Sequence, residues 1–155
     1  MVFCWTAIAG IPADQINLNG TLGLSGYDPI SYFAEAPFEG DKRWSLVHEG
    51  AEYRFVSPEN MKAFASLPDT YLPAYGGWCA YAMLDGDKVE VDLETFKIVD
   101  GKLYLFYNGL WGDTLKRWNK KVAKSHESDL IEKADQQWIE ISSRDYYCKD
   151  YDSES

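Results

Sequence analysis

Two stretches of the chain alternate apolar and polar residues with a period of two. Trp44, Leu46 and His48 fall on one side of the first, and Ser45, Val47 and Glu49 on the other, which is the pattern of a half-buried strand. The chain turns over residues 49–52, and Tyr53-Arg54-Phe55-Val56 returns as a partner strand, so His48 points with the apolar face of a hairpin. Residues 95–99 and 102–107 flank Asp100-Gly101, a pair suited to a two-residue type I′ turn, in which both central positions need positive φ. That register sets Ile98 opposite Leu103 and Phe96 opposite Leu105, giving one wholly apolar face.

Elsewhere the period is helical. Ser57-Pro58-Glu59 reads as an N-cap followed by proline in the first turn, with Met61, Phe64 and Ala65 as the buried stripe and Pro68 as the stop. Asp28-Pro29 reads the same way and predicts one or two turns of helix, ended by residues 37–41. Residues 113–124 carry Leu115, Trp118 and Val122 on one face, and residues 127–141 carry Leu130, Ile131, Ala134, Trp138 and Ile141. Residues 11–26, rich in Gly, Asn and Leu, predict a loop with one short strand. The expected fold class is α+β: small antiparallel hairpins packed with short helices, two of them C-terminal. The expected organisation is a lead segment over 11–25, one domain over 26–141 and a loose acidic tail over 142–155, where periodicity ends.

Composition narrows the class. At 155 residues the chain can bury a core without disulfide staples, and 15% aromatics predict a core rich in rings. The net charge of −10 repels a phosphate backbone and an acidic membrane surface alike, so nucleic acid is not an expected partner. No apolar run is long enough to span a bilayer. The first ten residues are apolar, carry no charged side chain and end in Ala7, Ala9 and Gly10. They read either as a remnant of a secretory signal, placing the protein outside the cytoplasm, or as a buried N-terminal strand. If they are removed Cys4 goes with them, and Cys79 and Cys148 are left to pair or to stay as free thiols.

The densest stretch is residues 71–82, Tyr-Leu-Pro-Ala-Tyr-Gly-Gly-Trp-Cys-Ala-Tyr-Ala. Its Gly76-Gly77 pair suits a backbone geometry closed to other residues. It lacks the lysine of a phosphate loop. The rings of Tyr71, Tyr75, Trp78 and Tyr81 suit either core packing or a pocket for a flat or cationic ligand. Cys79 reads as a small buried hydrophobe or, with His48 beside it, as a thiolate ligand or reactive thiol. Asp28 suits the helix cap first, and a carboxylate ligand if Cys79 and His48 meet it; such a Cys/His/Asp set would suit zinc or copper.

Five segments resemble the YHS-domain family in its stand-alone, mostly exported form. They are Gly-Tyr-Asp-Pro-Ile-Ser-Tyr-Phe at 26–33, His-Glu-Gly-Ala-Glu-Tyr-Arg-Phe at 48–55, Tyr-Gly-Gly-Trp-Cys-Ala-Tyr-Ala at 75–82, Val-Asp-Gly-Lys-Leu-Tyr-Leu at 99–105, and Lys133-Ala134-Asp135 with Trp138. The resemblance implies an accessory role in metal handling. It also implies a departure: where the metal-associated branch of that family carries three cysteines, this chain has Ser31, Val56 and Asn60. Three such side chains cannot replace three sulfurs, so the family's thiolate site is not carried over.

The expected function is a binding or accessory module taking a metal ion or small ligand around Cys79 and His48, with Asp28 as third metal ligand and Tyr75, Trp78 and Tyr81 as ligand-lining rings. The alternatives are a structural or interaction protein without a metal site and a thiol enzyme using Cys79. No catalytic residue is assigned, because no orienting partner or oxyanion motif accompanies the thiol.

Overall fold

The computed structural model describes the backbone of residues 13–34 and 36–152 and the side chains of 14–34 and 36–143. The readings of residues 1–10 and of Cys4, and those of the Cys148 side chain, lie outside the described residues.

The first hairpin forms where the alternation places it. Strands β3 (Asp41–His48) and β4 (Ala51–Phe55) pair antiparallel with His48 opposite Ala51. The connection shortens to Glu49-Gly50, both with positive φ (48° and 82°), as a type I′ turn requires. Residues 11–26 hold more order than a loop with one strand: β1 (Leu18–Asn19) and β2 (Leu22–Gly23) form a small hairpin. Strand β2 then joins β4 in parallel through Leu22 and Glu52, completing a sheet of order β1-β2-β4-β3.

The second hairpin, β5 (Asp92–Val99) and β6 (Lys102–Phe106), has the expected register, Ile98 opposite Leu103 and Phe96 opposite Leu105. Both faces of β6 are buried. Leu103 and Leu105 pack with Leu24 and Tyr32, whereas Tyr104 and Phe106 pack with Tyr75, Met83, Trp118 and Ala134. A third cluster joins Tyr53 and Phe55 of β4 to Phe64, which is fully buried with ring centroids 5.2 Å from each. Burying such a ring is worth about 1.5–3 kcal/mol. A third, two-residue hairpin pairs β7 (Asn108–Gly109) with β8 (Gly112–Asp113).

Helix α1 (Pro58–Ser66) starts as its cap predicts, the Asn60 N–H donating to Ser57 Oγ at 3.1 Å. Phe64 is buried, but Ala65 is exposed, so the stripe is narrower than expected. Short helices α2 (Pro68–Tyr71) and α3 (Ala80–Met83) follow. Helix α4 (Thr114–Val122) is capped by Asp113. Helix α5 spans Glu127–Asp152, continuing past Ile141 because no Gly or Pro interrupts it. The Asp28-Pro29 start yields only a 3-10 turn, Ser31–Phe33, rather than an α-helix. Among the described residues no helix is long and apolar enough to cross a membrane.

Candidate functional site

Asp28 is fully buried and its carboxylate is engaged on both oxygens. The Ile30 N–H donates to Oδ1 at 2.8 Å, and the Val56 N–H (2.9 Å) and Asn60 Nδ2 (2.8 Å) donate to Oδ2. Ser31 Oγ donates to the Asp28 carbonyl at 2.7 Å and accepts the Phe38 N–H at 2.9 Å. The three positions at which the resembled family's metal branch carries thiols therefore all meet Asp28. In this chain they supply N–H and O–H donors, and the result is a hydrogen-bonded knot joining the 3-10 turn to the start of α1. A cation at Asp28 would have to displace the N–H donors that already occupy both carboxylate oxygens.

Cys79 lies elsewhere. It is a free thiol with no exposed surface, between the end of β6 and the start of α4. Its Sγ accepts the Tyr107 N–H at 3.3 Å and lies 3.4 Å from Thr114 Oγ1. Thr114 spends its own hydroxyl proton on the Tyr107 carbonyl at 2.7 Å, so the thiol is the donor to Thr114. This is a hydrogen-bonded thiol, closed to reagents and paired with no histidine or carboxylate.

The stretch around Cys79 is a junction. Tyr75, Gly76 and Gly77 take positive φ in succession (58°, 61° and 85°). Gly76 admits no side chain, since a Cβ there would sit 2.8 Å from the Gln15 carbonyl oxygen. The chain thus presses against residues 15–17: the Asn17 N–H donates to the Gly76 carbonyl at 2.8 Å, and Trp78 Nε1 to the Gln15 carbonyl at 2.8 Å. Tyr75 is buried, donates its hydroxyl to Asp135 of α5 at 2.9 Å, and packs on Tyr104 and Trp138. Burial raises the Tyr75 phenol, and the Asp135 charge adds to the shift. Tyr81 lies under Lys121, 6.0 Å from the ring centroid.

His48, the last residue of β3, sits edge-on to Phe64 with ring centroids 5.9 Å apart. Its Nε2 is buried and has no hydrogen-bond partner; the nearest carboxylate oxygen, Glu49 Oε2, is 3.8 Å away. Such an orphan costs about 1–3 kcal/mol. His48 forms part of the wall of a cleft of about 50 Å³ between the first sheet and the second hairpin. Tyr53, Glu49, Glu90 and the Gly76-Gly77 backbone also line it, and no Lys or Arg does. Burial, with the charge of Glu49, pushes the Tyr53 phenol up to about 12.

The structure therefore distributes the residues singled out in the sequence. Asp28 is in the knot, Cys79 under β6 and α4, and His48 in the cleft. Among the described residues no three His, Cys, Asp or Glu side chains come together as a set that could hold a metal ion. Tyr75, Trp78 and Tyr81 pack against the core of α3, α4 and α5, and none of them lines the cleft. What lines it from the same stretch is Leu72, Pro73 and the two glycines. Sequence alone does not point to Glu49, Tyr53 or Glu90 as cleft residues: Glu49 adjoins an inward histidine, and Glu90 with Asp92 reads as a solvated turn pair. No protein-family model, no curated protein and no solved structure matches the chain.

Proposed function

We propose that the chain is a non-catalytic binding module of the YHS type whose cleft beside His48 takes a small organic cation with N–H donors, such as an alkylammonium group. The observation that carries this reading is the buried, unpartnered His48 Nε2 at the wall of a cleft that also holds two carboxylates and no basic residue. The unpartnered imidazole nitrogen is placed to accept one N–H, with the Glu49 and Glu90 side chains in the same wall. Leu24, Leu93 and Leu105 receive the carbon end. About 50 Å³ leaves room for roughly four waters or a handful of heavy atoms.

The ligand-binding half of the sequence expectation is kept, with His48 at its centre and without Cys79. A sealed thiol without a base does not support the thiol-enzyme alternative, and the scattered ligands do not support zinc or copper.

The test is NMR titration of ¹⁵N-histidine-labelled protein with ethylammonium chloride, and with sodium acetate as the control of similar size. At a ceiling of about 1.5 kcal/mol per heavy atom, three heavy atoms give dissociation constants of about a millimolar or weaker. The expected result is a saturable shift at His48 with ethylammonium, weakened in Glu49→Gln and in Glu90→Gln, both of which keep the histidine that is read. Equal response to both salts, or none to ethylammonium, overturns the proposal.

A further inference from the structure

The two most exposed large apolar residues among those described are neighbours. Leu110 is 98% and Trp111 79% exposed, and together they are the two-residue tip between β7 and β8. The tip is braced from behind. The Trp111 N–H donates to the Tyr107 hydroxyl at 3.3 Å, and Arg117 Nη2 donates to the Trp111 carbonyl at 2.6 Å. Gly109 lies so close to the Tyr107 ring that a Cβ would sit 2.6 Å from its hydroxyl oxygen. The backbone is held in place while its two apolar side chains stand in water.

Arg117 ties this tip to the outer face of α4. Lys116, Arg117, Lys120 and Lys121 recur at i, i+1, i+4 and i+5, which keeps them on one side of the helix, and Lys124 follows in the turn just past its end. The opposite side, Leu115, Trp118 and Val122, packs into the core. All five basic residues are exposed. Five of the chain's 15 Lys and Arg thus fall within nine residues. Local opposition is slight: Asp113 lies 3.6 Å from Lys116, whose side chain is 84% exposed, and Glu127 is taken up by Lys97 at 2.6 Å and Trp118 Nε1 at 2.8 Å.

We propose that the hairpin tip and the outer face of α4 form a docking surface for an anionic lipid bilayer. Leu110 and Trp111 enter at headgroup depth, where tryptophan is favoured, and the five cations lie over the headgroups. An apolar wedge beside a basic helix face is the composition of an interfacial anchor. The net charge of −10 does not oppose this at contact, because charges beyond about 8 Å are screened at physiological ionic strength. The protruding leucine argues for lipid over nucleic acid, to which an aliphatic tip offers neither stacking nor a hydrogen bond.

The test is co-sedimentation of the full chain with vesicles of phosphatidylcholine alone and of phosphatidylcholine with about one-third phosphatidylserine, with a single-stranded oligonucleotide as competitor. Each cation at such a surface strengthens binding about fivefold. Binding is therefore expected to phosphatidylserine vesicles only, and to fall at least tenfold in Lys120→Glu/Lys121→Glu and with added salt. Leu110→Ser/Trp111→Ser is expected to lower it at least tenfold while leaving the thermal midpoint unchanged, since neither side chain is packed. Binding to neither vesicle, equal binding to both, indifference to the tip variant, or displacement by the oligonucleotide overturns the proposal. None of these outcomes bears on the cleft beside His48, which is read by a separate titration.

Discussion

Replacing Asp28 by asparagine changes one atom of a fully buried side chain, and the structure says what that atom was doing. In the native protein three N–H donors converge on the carboxylate, one on Oδ1 and two on Oδ2. An asparagine can keep its oxygen toward Val56 and Asn60, but its NH₂ then faces the Ile30 N–H, donor against donor. One hydrogen bond to a charged group, worth about 1.5–3 kcal/mol, is lost, while relief of the buried charge offsets part of this. The expected net loss is about 2 kcal/mol. Asp28→Ala abandons all three donors and should cost about 4 kcal/mol, at the upper end of single substitutions. Asn60→Ala alone removes one bond to the same carboxylate and should cost about 1.5–3 kcal/mol. In the Asp28→Ala background it should cost almost nothing, because its partner is already gone. Urea unfolding followed by tryptophan fluorescence compares the wild type with the four variants; with a slope of about 2 kcal/mol/M, Asp28→Asn moves the midpoint by about 1 M. A shift for Asp28→Asn no larger than that of a surface substitution, about 0.5 kcal/mol, would refute the reasoning. So would full additivity of Asp28→Ala and Asn60→Ala.

Two further outcomes follow from the same coordinates. Cys79, with no exposed surface and its thiol donated to Thr114, should resist iodoacetamide in native protein and react after unfolding; Cys79→Ala should cost about 1–3 kcal/mol by leaving the Tyr107 N–H unpaired. Stability should fall above about pH 10. Burial pushes Tyr53 and Tyr104 up to about 12 and raises Tyr32 and Tyr75 as well. The folded state therefore keeps phenolic protons that the unfolded chain loses: stability is complete below the ordinary tyrosine value and drops by about 1.4 kcal/mol per pH unit per tyrosine above it. Lys102, lowered by burial, acts in the opposite sense until the pH passes the ordinary lysine value. Urea midpoints at pH 8 and pH 11, for wild type and Tyr53→Phe, measure this; an unchanged slope in the variant would contradict it.

Local rules carried the elements that depend on neighbours in sequence. The Asp100-Gly101 register, the first hairpin, the Ser57 cap and the inward turn of His48 all follow from alternation, turn chemistry and caps acting within a few residues. They failed where a long-range partner intervened. Asp28-Pro29 is a good helix start, yet its carboxylate is drawn to Val56 and Asn60, 28 and 32 residues away, and only a 3-10 turn forms. Cys79 and His48 could each be named from the sequence, but whether they meet depends on how β6, α4 and the first sheet pack, and packing set Cys79 against Tyr107 and Thr114 and His48 against Phe64. The paired glycines read correctly as special backbone. That they form the floor of a cleft and press on residue 15 is decided only when the N-terminal segment folds across them. Net charge and composition are sums over the chain, whereas the basic face of α4 and the exposed tip beside it exist only once the fold chooses which side chains to bury.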